Sequence, residues 1–393
     1  MPTLSHFWGH FFPPKPTFTD ANLPADLYGK VYVVTGANSG IGKDIARLLY
    51  ANNAKVYVLC RSEDKALKAI QNIEKAFPDS KGALIFIACD LADLTNVKTA
   101  AVAFLAREQR LDVLFNNAGV MVGPSEPGEP IPVTAQGHEL CLGVNCVATH
   151  LLTKLLTPTL VATDSLTRIV WYSSFGMEIG AQRDVGIATD NLDYHKPEKE
   201  TKRYILSKTG AWALGIEHNR QYKAQGVASV PIDPGNVVSG LPRDQALQLR
   251  KVAKLVCYPT VYGAYTALYA GFSPEVVSDQ ADWTKEWVAP FGRMFPLRSD
   301  LTKATLLEED GGNGGTAKFW NWGQHLLVAV TCPEHTAHGT TEHGFVPLPK
   351  STTPERIKEN ADVFDFELDN DNITLLHTEE FSPTAWDPTT QRD

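Results

Sequence analysis

From about Lys30 onward, short runs rich in Val and Ile alternate with stretches of helical periodicity. The runs are VYVVTG at 31–36, KVYVLC at 55–60, ALIFIAC at 83–89, LDVLFNNAG at 111–119, RIVWYSS at 168–174 and VASVPIDPG at 227–235. The helical stretches between them are 41–53, 63–77, 94–109, 138–156 and 204–224. A strand that is apolar on both faces belongs between two layers of helices. Strands joined through helices pair in parallel, because each connection must cross back over the sheet. The expected fold class is α/β: a doubly wound parallel sheet with helices on both faces. A length of 393 residues would allow two domains, but the connections are too short to separate them. One main domain over 30–332 is expected, with a lead-in segment at 1–29. Residues 333–393 lack periodicity and hold 13 acidic against 4 basic side chains, so the chain's net charge of −9 sits there. A disordered or loosely appended tail is expected.

The first run ends in Thr35-Gly36-Ala37-Asn38-Ser39-Gly40-Ile41-Gly42, and a helix starts at about Ile41. Glycines at this spacing allow a tight turn and let the backbone approach a pyrophosphate. The new helix then aims its free N–H groups at the anion. A glycine-rich turn alone is weak support. Placed between a first strand and a first helix, it predicts dinucleotide binding by Gly36, Asn38, Ser39, Gly40, Ile41 and Gly42, and a Rossmann-type sheet. Asp90-Leu91 and Asn117-Ala118-Gly119 end later strands and are expected to line the same crevice.

The second strand ends in Cys60-Arg61. A binder of NAD usually carries a carboxylate about here for the ribose 2′-hydroxyl. Arg61 offers a fork of donors to a 2′-phosphate instead, and Lys65 lies one turn further. The expected cofactor is NADP(H).

Tyr204 and Lys208 stand four apart near a helix start, hence on one face. A phenol titrates near ~10, so acid–base work at neutral pH needs its anion stabilised, and an ammonium does this. The pattern is common by chance. Ser174, on the preceding strand, adds a hydroxyl able to hydrogen-bond a carbonyl, while Ser173 should face the other way. Asn145 lies in a long apolar helix, either as a satisfied core group or as a water anchor.

Thr35–Gly42, Asn116–Gly119, Asn145, Ser174, Tyr204–Lys208 and Pro234-Gly235 together resemble the short-chain dehydrogenase/reductase superfamily over about 30–330. FFPPKPTFTDANLP, VYGAYTALYAGFSPE and FWNW are similar to retinol-dehydrogenase-like fungal short-chain reductases. The resemblance implies hydride transfer between nicotinamide and a carbonyl or alcohol carbon. Tyr204 would be the proton donor or acceptor, and Lys208 would lower its pKa and bind the nicotinamide ribose. Ser174 would polarise the carbonyl, and Asn145 would hold a water. Pro234, Gly235, Val237 and Ser239 would meet the nicotinamide amide, and Lys154 would contact the cofactor. Ser239 replaces the more usual Thr. The 175–200 segment is long, and the acidic tail has no counterpart. Fungal members often act in secondary metabolism, by association.

The expected substrate is a small-molecule carbonyl or alcohol, mid-sized and largely apolar. The loop after Gly119, residues 175–200 and residues 240–300 would enclose it. Trp283, Trp287, Phe291, Met294 and Phe295 suit either a pocket wall or core packing. A neutral body with an acidic tail gives no reason to bind nucleic acid. No apolar run approaches the ~20 residues of a membrane helix, and the start lacks a secretory signal. The N-terminal FWGHFF is expected to pack on its own body rather than dock on a membrane. Six cysteines without a C-x-x-C pair favour a reducing, cytoplasmic setting. His335, His338 and His343 are not expected to bind metal. The pattern leaves room for a homo-oligomer. Two rival readings are a non-catalytic NADP-binding regulator, which loss of Tyr204 or Lys208 would favour, and an epimerase or dehydratase of the extended relatives, whose glycine spacing differs.

Overall fold

The structure is a computed structural model, and it describes residues 4–123, 130–238, 257–278 and 281–331. Ser239 and the tail at 333–393 lie outside the described residues. The strands are β1 (Val31–Thr35), β2 (Lys55–Cys60), β3 (Ala83–Ala88), β4 (Val113–Asn116), β5 (Thr167–Tyr172), β6 (Val227–Ile232), β7 (Glu286–Ala289) and β8 (Arg293–Pro296). They form one sheet in the order β3-β2-β1-β4-β5-β6-β7-β8. All pairings are parallel except that of β7 with β8. The strands β1, β4, β5 and β6 are buried along their whole length, as their two apolar faces require.

The helices are α1 (Leu4–Phe11), α2 (Gly40–Ala51), α3 (Glu63–Ala76), α4 (Leu94–Leu105), α5 (Leu140–Leu142), α6 (Thr149–Ala162), α7 (Phe175–Gly180), α8 (Glu200–Tyr222), α9 (Thr260–Phe272), α10 (Thr302–Thr305) and α11 (Gly315–Thr331). They flank the sheet in a Rossmann-type arrangement. α2 packs on α9, where a Cβ at Gly263 would come within 2.9 Å of Ile41. α4 packs on α6, and α8 lies against β5 and β6. The sheet and these contacts belong to the unit Met1–Gln324. The second unit, His325–Asp393, is described only over the end of α11.

Between α5 and α6 the chain is π-helical over Gly143–Ala148, so Leu140–Ala162 runs as one long helix with a wide turn. That helix is apolar and long enough to cross a membrane, with a mean hydropathy of 1.4. It is 83% buried inside the fold, so burial against protein accounts for its composition.

Two of the segments expected to enclose a substrate carry regular structure. Residues 240–300 are not simply a substrate enclosure, because they hold β7 and β8, which are too short and irregular to show a period of two. Trp287 on β7 and Phe291 are fully buried core groups, and Phe295 packs under α1 rather than in a cleft. Residues 175–200 open with the helix α7, whose N-cap is Ser174.

Candidate active site

The chain leaves β1 outward through β2 and β3, then returns to place β4 on the other side of β1. Connections diverge at such a switch point and leave a crevice beyond the strand ends. Two clefts open there and share Gly36, Asn38, Ser39, Ala118, Gly119 and Val120.

The shared floor is stitched from β1 and β4. Thr35 Oγ1 accepts from the Ala118 N–H (2.9 Å), and Asn117 Nδ2 donates to the Thr35 carbonyl (2.8 Å). Gly36 has φ +68°, and a Cβ there would sit 3.1 Å from Ala118 Cα. A Cβ at Gly42 would meet Asn117 Nδ2 at 2.5 Å and the Gly36 carbonyl at 2.7 Å. Gly42 thus serves close approach inside the turn and lines neither cleft. Ser39 is the N-cap of α2, and its side chain makes no cap hydrogen bond. The free N–H groups of α2 therefore suit an anion from outside.

The first cleft, ≈ 560 Å³, is lined by Arg61, Lys65, Asp90 and Leu91, as expected. Lys43, Lys68 and Asn72 also line it, which the sequence reading missed. Lys68 and Asn72 follow Lys65 at intervals of three and four, so helical spacing from Arg61 was the available signal. Asp90 is partly committed, since its Oδ1 accepts from the Ala92 N–H (3.0 Å). Burial pushes the Cys60 thiol up to about 11 and the Cys89 thiol up to about 12, so both are unreactive lining groups.

The second cleft, ≈ 440 Å³, is lined by Ser174, Tyr204, Lys208, Pro234, Gly235 and Val237, together with Gly40 and Ile41. Adjacent serines at the end of β5 separate as strand geometry demands. Ser173 Oγ donates to the Lys208 carbonyl (2.8 Å), while Ser174 lines the cleft beside Tyr204 and its Oγ accepts from the Gly176 N–H (3.1 Å). Lys208 Nζ donates to the Tyr172 carbonyl (3.0 Å) and stands 5.9 Å from the Tyr204 ring centre. Burial pulls the Lys208 ammonium down to about 8. Burial also pushes the Tyr204 phenol well up, with Cys141 and Asp233 adding and Ser174 opposing. The protein alone thus keeps the phenol protonated, and a positive charge brought into the cleft would ease its ionisation.

Asn145 lies in the π-helical turn and lines neither cleft. Its Oδ1 accepts from the Val120 N–H (2.8 Å), and its Nδ2 donates to the Val120 carbonyl (3.0 Å) and Ser207 Oγ (2.8 Å). These are the hydrogen bonds of a satisfied core group, and they fix the segment after Gly119. Lys154 is not brought to either cleft. Its ammonium donates to Gln324 Oε1 (2.9 Å), because the nine residues from Asn145 carry it along α6 away from the sheet edge.

Asp233 was missed. It lines the second cleft, is 3% exposed, and receives the Gly235 N–H on Oδ1 (3.0 Å) and His10 on Oδ2 (2.7 Å). A carboxylate closing an otherwise apolar strand was the signal. His10 had none, being 223 residues away.

Comparison with known proteins agrees with this geometry. The family model for short chain dehydrogenase matches residues 30–183. A short-chain dehydrogenase/reductase of Phomopsis amygdali is 44% identical over 329 residues, 81% of this chain and 96% of the relative. One of Neocamarosporium betae is 43% identical over 331 residues, covering 83% and 94%. Among solved structures, a crystal structure from Mycobacterium paratuberculosis has a TM-score of 0.56 at 24% identity, covering 79% of this chain and 97% of that one. An NADPH-bound short chain oxidoreductase from Pseudomonas aeruginosa PAO1 has a TM-score of 0.51 at 22% identity, covering 65% and 94%. Such structures speak to the fold, whereas identity above two fifths across four fifths of the chain speaks to descent. The chain belongs to the short-chain dehydrogenase/reductase family.

Proposed function

We propose that the protein is an NADP(H)-dependent oxidoreductase that interconverts a carbonyl and an alcohol on a mid-sized, largely apolar small molecule. The observation that carries this reading is the convergence of Ser174, Tyr204 and Lys208 on a cleft that shares its floor with the glycine turn. The residues fit the cofactor: glycines too close to their neighbours for a Cβ, an uncapped helix N-terminus, and four cationic side chains around the first cleft. Arg61 would take the 2′-phosphate, with Lys65, Lys68 and Lys43 in support. Gly36–Ile41 would face the pyrophosphate, and Pro234–Val237 the nicotinamide end. The cofactor supplies a hydride donor or acceptor when bound.

The protein's own residues do the rest. Ser174 orients the substrate oxygen by a hydrogen bond. Tyr204 gives its phenolic proton to that oxygen in reduction and takes it back in oxidation. Lys208 places positive charge beside the phenol and eases its ionisation. Asn145 and Gly119 set the floor next to Lys208, where a Cβ on Gly119 would come within 3.2 Å of Nζ. The NADPH bound by the Pseudomonas neighbour supports the cofactor. Five described cysteines are free thiols, which suits a cytoplasmic setting. A role in secondary metabolism, suggested by the fungal resemblance, stays part of the proposal.

The test is a panel of carbonyls and alcohols followed by NADPH absorbance. Turnover of an apolar ketone or aldehyde with NADPH is expected. Tight NADPH binding with no turnover across the panel would favour the regulator instead.

A further inference from the structure

The N-terminal helix is the least local neighbour of the catalytic cleft. Gly9 lets α1 lie flat on β8, since a Cβ there would be 2.9 Å from Phe295. Phe7, His10 and Phe11 surround Phe175, the residue after Ser174, with His10 stacked on its ring at 4.7 Å. His10 is 1% exposed, and its Nδ1 is 2.7 Å from Asp233 Oδ2. A carboxylate only accepts, so the imidazole carries its proton on Nδ1, toward Asp233. With Gly235 on the other oxygen, each carboxylate oxygen has one donor.

Asp233 faces the same cleft as Tyr204 and Lys208. Its negative charge works against the phenolate and for the ammonium. The other titratable and charged groups nearby are Glu178 on α7, Arg293 on β8, Arg298 after β8, His6 on α1 and the Cys141 thiol on α5. Of these, none replaces His10 on Asp233 Oδ2 among the described residues.

We propose that His10 is a positioning residue for the Tyr204–Lys208 pair: it holds the Asp233 carboxylate in place beside the phenol and so sets how readily the phenol gives up its proton. The inference rests on Tyr204 being the proton-transfer group. It makes the N-terminal helix part of the active site, although no residue of α1 lines the cleft.

The experiment uses the full chain and the best carbonyl from the panel. It compares the pH profile of kcat, the NADPH affinity by fluorescence and the melting temperature for His10→Ala, His10→Asn, Asp233→Asn and the double variant His10→Ala/Asp233→Asn. Asp233→Asn should move the alkaline limb down by about one pH unit, since a buried charge is removed beside the phenol. His10→Ala should move it up and lower kcat at neutral pH by about tenfold, with NADPH affinity within about twofold. His10→Asn keeps a donor at similar reach and should recover most of the loss. In the Asp233→Asn background, His10→Ala should cost little more, because it acts only through that carboxylate. An equal cost in both backgrounds, or no recovery by Asn, would overturn the proposal and leave His10 a packing group. Tyr204→Phe run alongside separates the two ideas: if it stays active, the catalytic reading fails, whatever His10 does.

Discussion

The two clefts share a floor but not an origin. The Arg61 cleft is lined entirely by residues from Thr35 to Val144, drawn from the ends of β1 to β4 and from the helices that follow them. The Tyr204 cleft draws on residues from Gly36 to Cys257, and its Asp233 is held by His10. A site made from adjacent strand ends is assembled as soon as neighbouring strands pair. A site made from residues spread between His10 and Cys257 needs the strands from β1 to β6 paired first. The first cleft is accordingly rich in freely exposed lysines and an arginine, whereas the second holds buried groups whose titration depends on one another.

The sharpest way to split the two clefts is Tyr204→Phe. It should lower kcat by about a thousandfold, the scale of positioned acid–base catalysis, and leave NADPH affinity nearly unchanged. Steady-state rates and NADPH fluorescence check this, and a variant retaining more than about a tenth of the parent rate would break the assignment.

Gly42→Ala attacks the floor that both clefts share. Its Cβ would strike Asn117 Nδ2 and the Gly36 carbonyl. Loss of about 3 kcal/mol of stability is expected, with weaker NADPH binding and slower turnover together. A melting curve and a binding titration measure both. If only one cleft suffered, the common floor would be the wrong picture.

Arg61→Ala should reverse the Tyr204→Phe pattern, weakening NADPH while leaving chemistry at saturation intact. The preference for NADPH over NADH should fall by about tenfold to a hundredfold, the scale of one charge-assisted contact. Lys65→Ala should do less, being a point charge further along the helix. Kinetic constants with both cofactors decide it, and equal loss for both would point away from the 2′-phosphate.

The smallest effect concerns Glu178, behind the second cleft. Burial pushes its carboxyl up to about 7 from an ordinary value near 4.5. The folded state therefore holds this proton more tightly than the unfolded chain. That contribution is complete below about 4.5 and is lost as pH rises through about 7. Glu178→Gln should flatten the pH dependence of stability in this window by on the order of 1–2 kcal/mol. Denaturant melts at pH 4.5 and pH 8 test it, and an unchanged slope would show that Arg298 already neutralises the carboxylate.

The alternation of apolar runs and amphipathic stretches was enough to anticipate a parallel sheet covered by helices, because strand burial and crossover both leave periodic marks. The glycine turn, Arg61 and the Tyr204–Lys208 spacing were legible for the same reason: each depends on residues within one turn or one strand end. β7 and β8 were not, since four-residue strands carry too little pattern.

What the sequence by itself determined was the fold class, the glycine turn between β1 and α2, and the face of α8 that carries Tyr204 and Lys208, where local spacing dictates which side chains lie together. Only the tertiary structure decided that Asn145 spends its amide on Val120 and Ser207, that Lys154 turns to Gln324, and that His10 meets Asp233. These depend on a π-helical turn, on a helix arriving from the far end of the chain, and on the packing of Gly9 against Phe295. Contacts between residues tens to hundreds of positions apart have no periodicity, so no local pattern encodes them, and burial in three dimensions selects them.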